Sequence, residues 1–96
     1  MAVPKLMKLQ DVLSVTGGGT TSLYQDIRHE LLPPPLKRGR SSFWVESEIA
    51  AISAARIGGA SDDDIRQLVR RLMAARKVQA EAATGEALRE LSGAHL

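Results

Sequence analysis

Residues 9–30 read LQDVLSVTGGGTTSLYQDIRHE, and their pattern predicts two short helices joined by a glycine turn. The first apolar residues are three and four positions apart, which is the spacing of one face of a helix over residues 8–16. Three consecutive glycines then end that helix and allow a sharp change of chain direction. A second helix over residues 20–30 follows, so the order of elements is that of a helix-turn-helix.

The second predicted helix has two faces of different character. Leu23, Ile27 and Glu30 fall together when residues are placed 100° apart, and the two apolar residues among them form the inner face. The opposite face, its flanks and the edge at the helix start carry hydrogen-bonding groups: Thr20, Thr21, Ser22, Tyr24, Gln25, Arg28 and His29. Residues of these types contact base edges and phosphates in protein–DNA complexes, so this face predicts a helix that reads DNA.

The stretch after this helix predicts a basic β-hairpin. Three prolines at 33–35 prevent the helix from continuing, because proline lacks the N–H group and forces extended backbone before it. Residues 36–45 then read LKRGRSSFWV, with a glycine suited to a turn and an alternating strand at the end. This stretch contains no acid and presents five groups that can donate to phosphate oxygens: Lys37, Arg38, Arg40, Ser41 and Ser42. In a chain with three aromatic residues, we expect Trp44 to anchor the core beneath the hairpin rather than to stack on bases.

Two further helices are predicted after the hairpin. One covers residues 47–57 and ends at two glycines, and the other begins after Ser61, a favourable N-cap, and runs to about residue 83. The latter carries an apolar stripe from Ile65 to Met73, which can pack on the rest of the domain or on a second protomer. Three basic residues flank this stripe, and we expect a solvated face rather than a second phosphate contact. They are Arg66, Arg70 and Lys77.

The chain therefore divides into four predicted segments. They are a flexible N-terminus over 1–7, a winged helix-turn-helix DNA-binding domain over 8–57, a C-terminal helix for packing or self-association over 61–83, and a short helical or disordered tail over 84–96. A proline discourages regular structure in the first segment, and a glycine interrupts the helical pattern before the last. The expected fold class is mainly α, with a small β-hairpin wing and a long C-terminal helix.

Length, composition and charge exclude several classes of protein. The 96 residues contain no cysteine, and the two histidines are far apart, so neither a disulfide framework nor a metal centre is expected. No apolar run approaches the ~20 residues that span a bilayer, and no secretory signal is recognisable, so we expect a cytoplasmic protein without membrane contact. Residues 1–45 carry six basic and three acidic groups, whereas residues 46–96 carry seven basic and eight acidic groups. The net charge of +2 thus conceals a basic N-terminal half suited to an anionic partner.

No combination of residues predicts catalysis or a cofactor. The acids at 62–64 follow a helix N-cap, where they complement the helix dipole. His29 has serine and aspartate nearby on one helix, which is not the spatial arrangement of a catalytic triad. The glycine run lacks the Lys-Ser/Thr of a phosphate-binding loop and follows a helix instead of a strand. We therefore expect no enzymatic activity, cofactor, metal or small-molecule substrate.

Several short motifs occur in a characteristic order over about half of the chain. After Leu9 and Val12 they are Thr16-Gly17, Thr21-Ser22-Leu23-Tyr24, Pro33-Pro34-Pro35-Leu36-Lys37, Gly39-Arg40-Ser41 and Trp44-Val45-Glu46-Ser47-Glu48-Ile49. In this order and spacing, residues 6–56 resemble the AlpA family of prophage regulatory proteins, small relatives of MerR-type and excisionase winged helices. The chain departs from the family pattern where Leu-Ser is common before the recognition helix, so we expect Thr20 to cap that helix. It also has Gln25 where the family usually has arginine.

The resemblance implies a DNA-binding regulator of a prophage or another integrated mobile element, acting on transcription or as an excisionase-like factor. We predict that the second helix enters the major groove of double-stranded DNA and that the hairpin holds the backbone or the minor groove. Because one small domain makes few contacts, we expect two or more copies on repeated half-sites. The alternative, from another functional class, is a small helical protein–protein interaction module that uses the apolar stripe at 65–73.

Overall fold

The computed structural model describes residues 5–93, which are mainly helical with one small antiparallel sheet. The elements in chain order are strand β1 (Leu6–Lys8), helices α1 (Leu9–Thr16) and α2 (Thr20–Arg28), strands β2 (Leu36–Arg38) and β3 (Ser41–Val45), and helices α3 (Glu46–Ile57) and α4 (Asp62–Gly93). The predicted mainly-α class is confirmed. Each predicted helix begins within one residue of its expected start.

Strand β1 lies where the sequence predicts a flexible N-terminus over residues 1–7, and for the described part of that segment the prediction is wrong. β1 pairs antiparallel with β3, which places Met7 opposite Trp44 and buries its side chain. Three residues are too few to show the alternation of a strand, and the partner strand is distant in the sequence. The long-range pairing, rather than a local preference, therefore creates this element. Residues 1–4 lie outside the described part of the chain.

The predicted hairpin is confirmed and forms the rest of the sheet, whose strand order is β1-β3-β2. Arg38 pairs with Ser41, so Gly39 and Arg40 alone make the turn. Gly39 has a φ of +63°, which suits the first central position of a type II′ turn and matches the twist of the strands. The hairpin therefore presents its basic tip on a tight, two-residue connection.

A glycine turn joins α1 to α2, as predicted. The Gly17 N–H donates to the Leu13 carbonyl oxygen at 2.9 Å, which closes the end of α1. The N-cap of α2 is Gly19, and no side chain caps the helix. The predicted capping by Thr20 is therefore wrong, because Thr20 is already the first helical residue. The N–H groups of the first turn of α2 consequently have no side-chain acceptor at this end.

The core lies between the sheet and the four helices, around Trp44, which is 0% exposed. The other buried apolar residues are Met7, Val12, Leu23, Leu32, Ile49, Ile52, Ile65 and Val69. The predicted role of Trp44 as core anchor is thus confirmed by its burial. Its indole Nε1 has no hydrogen-bond partner among the described residues.

Helix α4 begins with a reciprocal cap and packs on the domain. The Asp64 N–H donates to Ser61 Oγ at 3.2 Å, and the Ser61 N–H donates to the Asp64 carboxylate at 3.4 Å, so the predicted N-cap is confirmed. Ile65 and Val69 are buried, and the remaining stripe residues are packed against the core. The apolar stripe therefore lies within the domain, where it is occupied and not offered to a partner.

The predicted end of the last helix near residue 83 is wrong, because α4 continues through Gly85 to Gly93. One interior glycine costs a helix about 1 kcal/mol relative to alanine, and the alanine-rich residues around it favour helix. The distal part is exposed, with Val78 at 64% and Leu88 at 59% of full accessibility. The predicted tail falls within this helix up to Gly93, and residues 94–96 lie outside the described part. No helix between residues 5 and 93 combines the length and apolar character needed to cross a membrane.

Candidate nucleic-acid interface

The outer face of α2 is open to solvent along its whole length. Leu23 is buried and Ile27 is half-buried against the core, and this inner contact fixes which side of the helix faces outward. All seven predicted DNA-reading residues of this segment are exposed: Thr20, Thr21, Ser22, Tyr24, Gln25, Arg28 and His29. An α-helix with its side chains is about 10–12 Å across, which fits the ~12 Å width of the major groove.

The two acids near this face are turned inward or paired. Asp26 is half-buried and lines a groove of about 230 Å³ between the ends of α1, α2 and α3. Glu30 accepts two hydrogen bonds from Arg70, at 3.1 Å from Nε and 3.4 Å from Nη2. This hydrogen bonding, and the charge of Arg70, lower the pKa of Glu30 and in turn raise the pKa of Arg70. The charge of Arg28 is therefore not offset by an unpaired carboxylate on the outer face of α2.

The register of the sheet divides the predicted hairpin residues between its two faces. Lys37 lies opposite Ser42, on the face of β3 that packs on the core, and its ammonium donates to Ser42 Oγ at 2.6 Å. Arg38 lies opposite Ser41 on the other face, and Arg40 stands in the turn. Ser42 is half-buried and the other four residues are exposed. None of the three basic side chains forms an ion pair within the described residues.

An aromatic contact joins α2 to the hairpin. The ring of Tyr24 meets the ring of Trp44 edge to face, with 6.4 Å between centroids and 62° between planes. Because Lys37 and Ser42 share the sheet face of Trp44, the structure brings this pair to the side of α2. It does not bring Arg38 and Ser41 to that side, and these residues extend the basic tip around the opposite face of the hairpin.

Arg70 and Lys77 of α4 are exposed, as predicted for a solvated face, whereas Arg66 is half-buried. Arg66 Nε donates to the His29 carbonyl oxygen at 3.0 Å, and Arg70 holds Glu30. Both arginines therefore bind the C-terminal end of α2. Lys77, the third member of the predicted ridge, is exposed and has no ion pair within residues 5–93.

The structure adds an ion pair that the sequence patterns did not single out. Glu48 is only 6% exposed and accepts two hydrogen bonds from Arg76, one of them at 2.7 Å between Nε and Oε2. Arg76 also donates from Nη2 to the Pro34 carbonyl oxygen at 2.9 Å. A signal existed, because on a helical wheel Arg76 falls about 20° from Ile65, within the apolar stripe. A charged residue on a packed face is expected to have a partner.

The exposed groups on α2 and the hairpin are hydroxyl, amide, guanidinium and ammonium groups, which can donate to phosphate oxygens and base acceptors. Across the part of the chain that is described, histidine and acidic residues form no group of three that could hold a metal ion. The exposed groups of this surface can form hydrogen bonds and ion pairs with an anionic partner. No protein-family model, curated protein or solved structure matches this chain.

Proposed function

We propose that this chain is a sequence-specific double-stranded DNA-binding protein of the winged helix-turn-helix class. In this proposal α1, the glycine turn and α2 are the helix-turn-helix, and the β2–β3 hairpin is the wing. Helix α2 enters the major groove with Thr21, Ser22, Gln25 and Arg28 at base edges and adjacent phosphates. The hairpin holds the backbone or the minor groove.

The observation that carries the proposal is the exposed polar face of α2 beside a hairpin with a basic, unpaired tip. The inner side of α2 is anchored by Leu23, so the polar face is free for a partner. The hairpin tip carries Arg38 at the end of β2 and Arg40 in the two-residue turn, with no acid in either strand. A polar helix and a basic projection next to it supply base contacts and backbone contacts, the two kinds of contact that specific DNA binding requires.

Salt-dependent binding to a random-sequence duplex tests the backbone contact. We expect fluorescence anisotropy to detect binding at micromolar protein and low salt, with the logarithm of the association constant falling linearly with the logarithm of salt concentration. Arg40→Ala should weaken binding to all duplexes and reduce that slope by about one, because one phosphate contact is lost. Arg71→Ala, which removes an exposed arginine from α4, is the matched control and should change the slope less.

Two results would count against this proposal. Absence of binding at micromolar protein and low salt would refute DNA binding altogether. An unchanged salt slope in Arg40→Ala, or an equal change in Arg71→Ala, would refute the phosphate contact of the hairpin.

The biological role within this proposal follows from the resemblance to AlpA proteins. We propose that the target is a regulatory site of a prophage or other integrated element, occupied by two or more copies. Selection from a random duplex library should then recover a short half-site, repeated about 10–10.5 base pairs apart or at multiples of that spacing. Recovery of sequences without a common element would contradict sequence-specific recognition and leave only backbone binding.

A further inference from the structure

Three arginines connect α4 to both parts of the proposed DNA-binding surface. Arg66 and Arg70 bind the C-terminal end of α2, and Arg76 binds the backbone that leads into β2. Ten residues of α4 separate the first from the last, which corresponds to about 15 Å along the helix axis. A single continuous helix therefore contacts the end of α2 and the start of the hairpin.

The segment between these two contacts has no regular secondary structure of its own. Residues 29–35 connect α2 to β2, and backbone hydrogen bonds to the end of α2 hold only the first three of them. Leu32 and Pro33 are buried, which fixes the middle of the segment. Its ends are held by α4, through Arg70 on Glu30 and through the hydrogen bond to the Pro34 carbonyl oxygen.

Glu30 occupies a backbone position that normally favours glycine. Its φ is +61°, and the Leu31 N–H donates to the Asp26 carbonyl oxygen at 2.7 Å, as in a Schellman motif at a helix end. Helix α3 ends in the same motif but has Gly59 at the equivalent position, with a φ of +87°. A glutamate therefore stands where glycine is less strained, and its carboxylate is what reaches Arg70.

The ion pair between Arg76 and Glu48 is more buried than the ion pair between Arg70 and Glu30. The Glu48 side chain is 7% exposed and the Arg76 side chain 22% exposed, and they are joined by two parallel hydrogen bonds. A fork-to-carboxylate pair of this kind fixes the plane of the guanidinium group. The direction of the remaining hydrogen bond to the Pro34 carbonyl oxygen is therefore fixed as well.

We propose that Arg66, Arg70 and Arg76 are positioning residues that set the placement of the hairpin relative to α2 and thereby the affinity for duplex DNA. This inference rests on the proposed DNA-binding function. The guanidinium groups are engaged within the protein, so they act through α2 and the connecting segment instead of by contacting phosphates. Removing an acidic partner should then weaken DNA binding, even though the protein becomes more positive.

Glu48→Gln tests whether loss of an acidic partner weakens DNA binding, and Glu46→Gln is the matched control. Both substitutions remove one negative charge from the first turn of α3, but Glu46 is exposed and has no ion pair within the described residues. We expect the dissociation constant for a duplex to rise roughly five- to tenfold in Glu48→Gln and to stay the same or fall in Glu46→Gln. The salt slope should stay unchanged in both, because neither variant loses a phosphate contact.

Amide hydrogen exchange in the free protein supplies a measurement that does not depend on DNA. Amides of residues 36–45 should exchange faster in Glu48→Gln than in wild type or Glu46→Gln. Tighter DNA binding by Glu48→Gln, or unchanged hairpin exchange, would overturn the proposal. If the wild-type protein binds no duplex, the proposed function fails, and hairpin exchange still decides whether the pair positions the hairpin.

Glu30→Gln and Arg76→Lys keep the test decisive if Glu48→Gln does not fold. Glu30 is exposed, so its substitution leaves the core intact. Lysine at position 76 retains the positive charge but cannot form the two parallel hydrogen bonds of the guanidinium group. Weaker binding by both variants in the presence of a normal circular dichroism spectrum supports the proposal. Wild-type affinity and wild-type exchange in both variants would overturn it.

Discussion

Trp44 offers the sharpest test of the core, because two effects of opposite sign meet at one side chain. The residue is fully buried, yet its Nε1 has no hydrogen-bond partner among the described residues. Trp44→Phe removes two buried carbon atoms and leaves a small cavity, which together should cost about 2 kcal/mol. It also removes a buried donor whose unsatisfied state costs about 1–3 kcal/mol. We therefore expect the free energy of unfolding of Trp44→Phe to lie within ~1 kcal/mol of the wild-type value.

The comparison variant is Trp44→Ala, which removes the whole ring and leaves a large cavity in the core. It should lose about 3–5 kcal/mol, the range for aromatic truncation in a core. Urea unfolding followed by far-UV circular dichroism measures all three proteins, and wild type can be checked by fluorescence because the chain has a single tryptophan. A loss of more than ~3 kcal/mol in Trp44→Phe would refute the reasoning, since it would mean that the indole nitrogen contributes a favourable interaction.

Three further predictions concern α2, the distal part of α4 and the ion pair between Glu30 and Arg70. Gln25→Ala should change the ranking of sequences recovered from a duplex library, because an amide that reads a base edge is lost; equal weakening on every sequence would assign it to positioning. Gly85→Ala should raise helicity and the free energy of unfolding by about 0.5–1 kcal/mol, because nothing beyond the adjacent residues and the helix's own backbone lies within 4 Å of the added methyl group; a loss of helicity would contradict a continuous α4. Because the pKa of Glu30 is lowered in the folded protein, its pair with Arg70 stabilises the fold above the ordinary value of 4.5 and ceases to do so as the pH falls through the lowered pKa. The difference in urea midpoint between wild type and Glu30→Gln should therefore be present at pH 7 and shrink below pH 4.5, and a difference independent of pH would contradict an ionic contribution.

The elements that were predicted correctly are those whose sequence pattern lies within a few neighbouring residues. The hairpin needs only a glycine at a two-residue turn, and the start of α4 needs only Ser61 with an acid three residues later. The outer face of α2 could be predicted because Leu23 and Ile27 define the opposite side of the same helix. In each case the interaction that stabilises the element lies within the element or at its edge.

The elements that could not be predicted depend on partners far along the chain. Strand β1 exists because β3 offers it a pairing edge, and three residues carry no periodicity of their own. The segment that joins α2 to β2 is held by arginines of α4, which follow it by about forty residues. The prolines of this segment predict the end of α2 correctly, but they contain no information about which helix will hold the backbone that follows.

The ion pairs also change the meaning of the charge asymmetry seen in the sequence. Each ion pair within the described residues takes its arginine from the half of the chain after residue 45: Arg56, Arg66, Arg70 and Arg76. The basic residues of α2 and the hairpin take part in none of them. Arg66, Arg70 and Arg76 of α4 are thus occupied in holding the fold, whereas the positive charges at residues 28–40 remain available to an anionic partner. A count of charges cannot separate paired from unpaired residues, but the ion pairs can, and they leave the basic residues of α2 and the hairpin among those available for the proposed DNA contact.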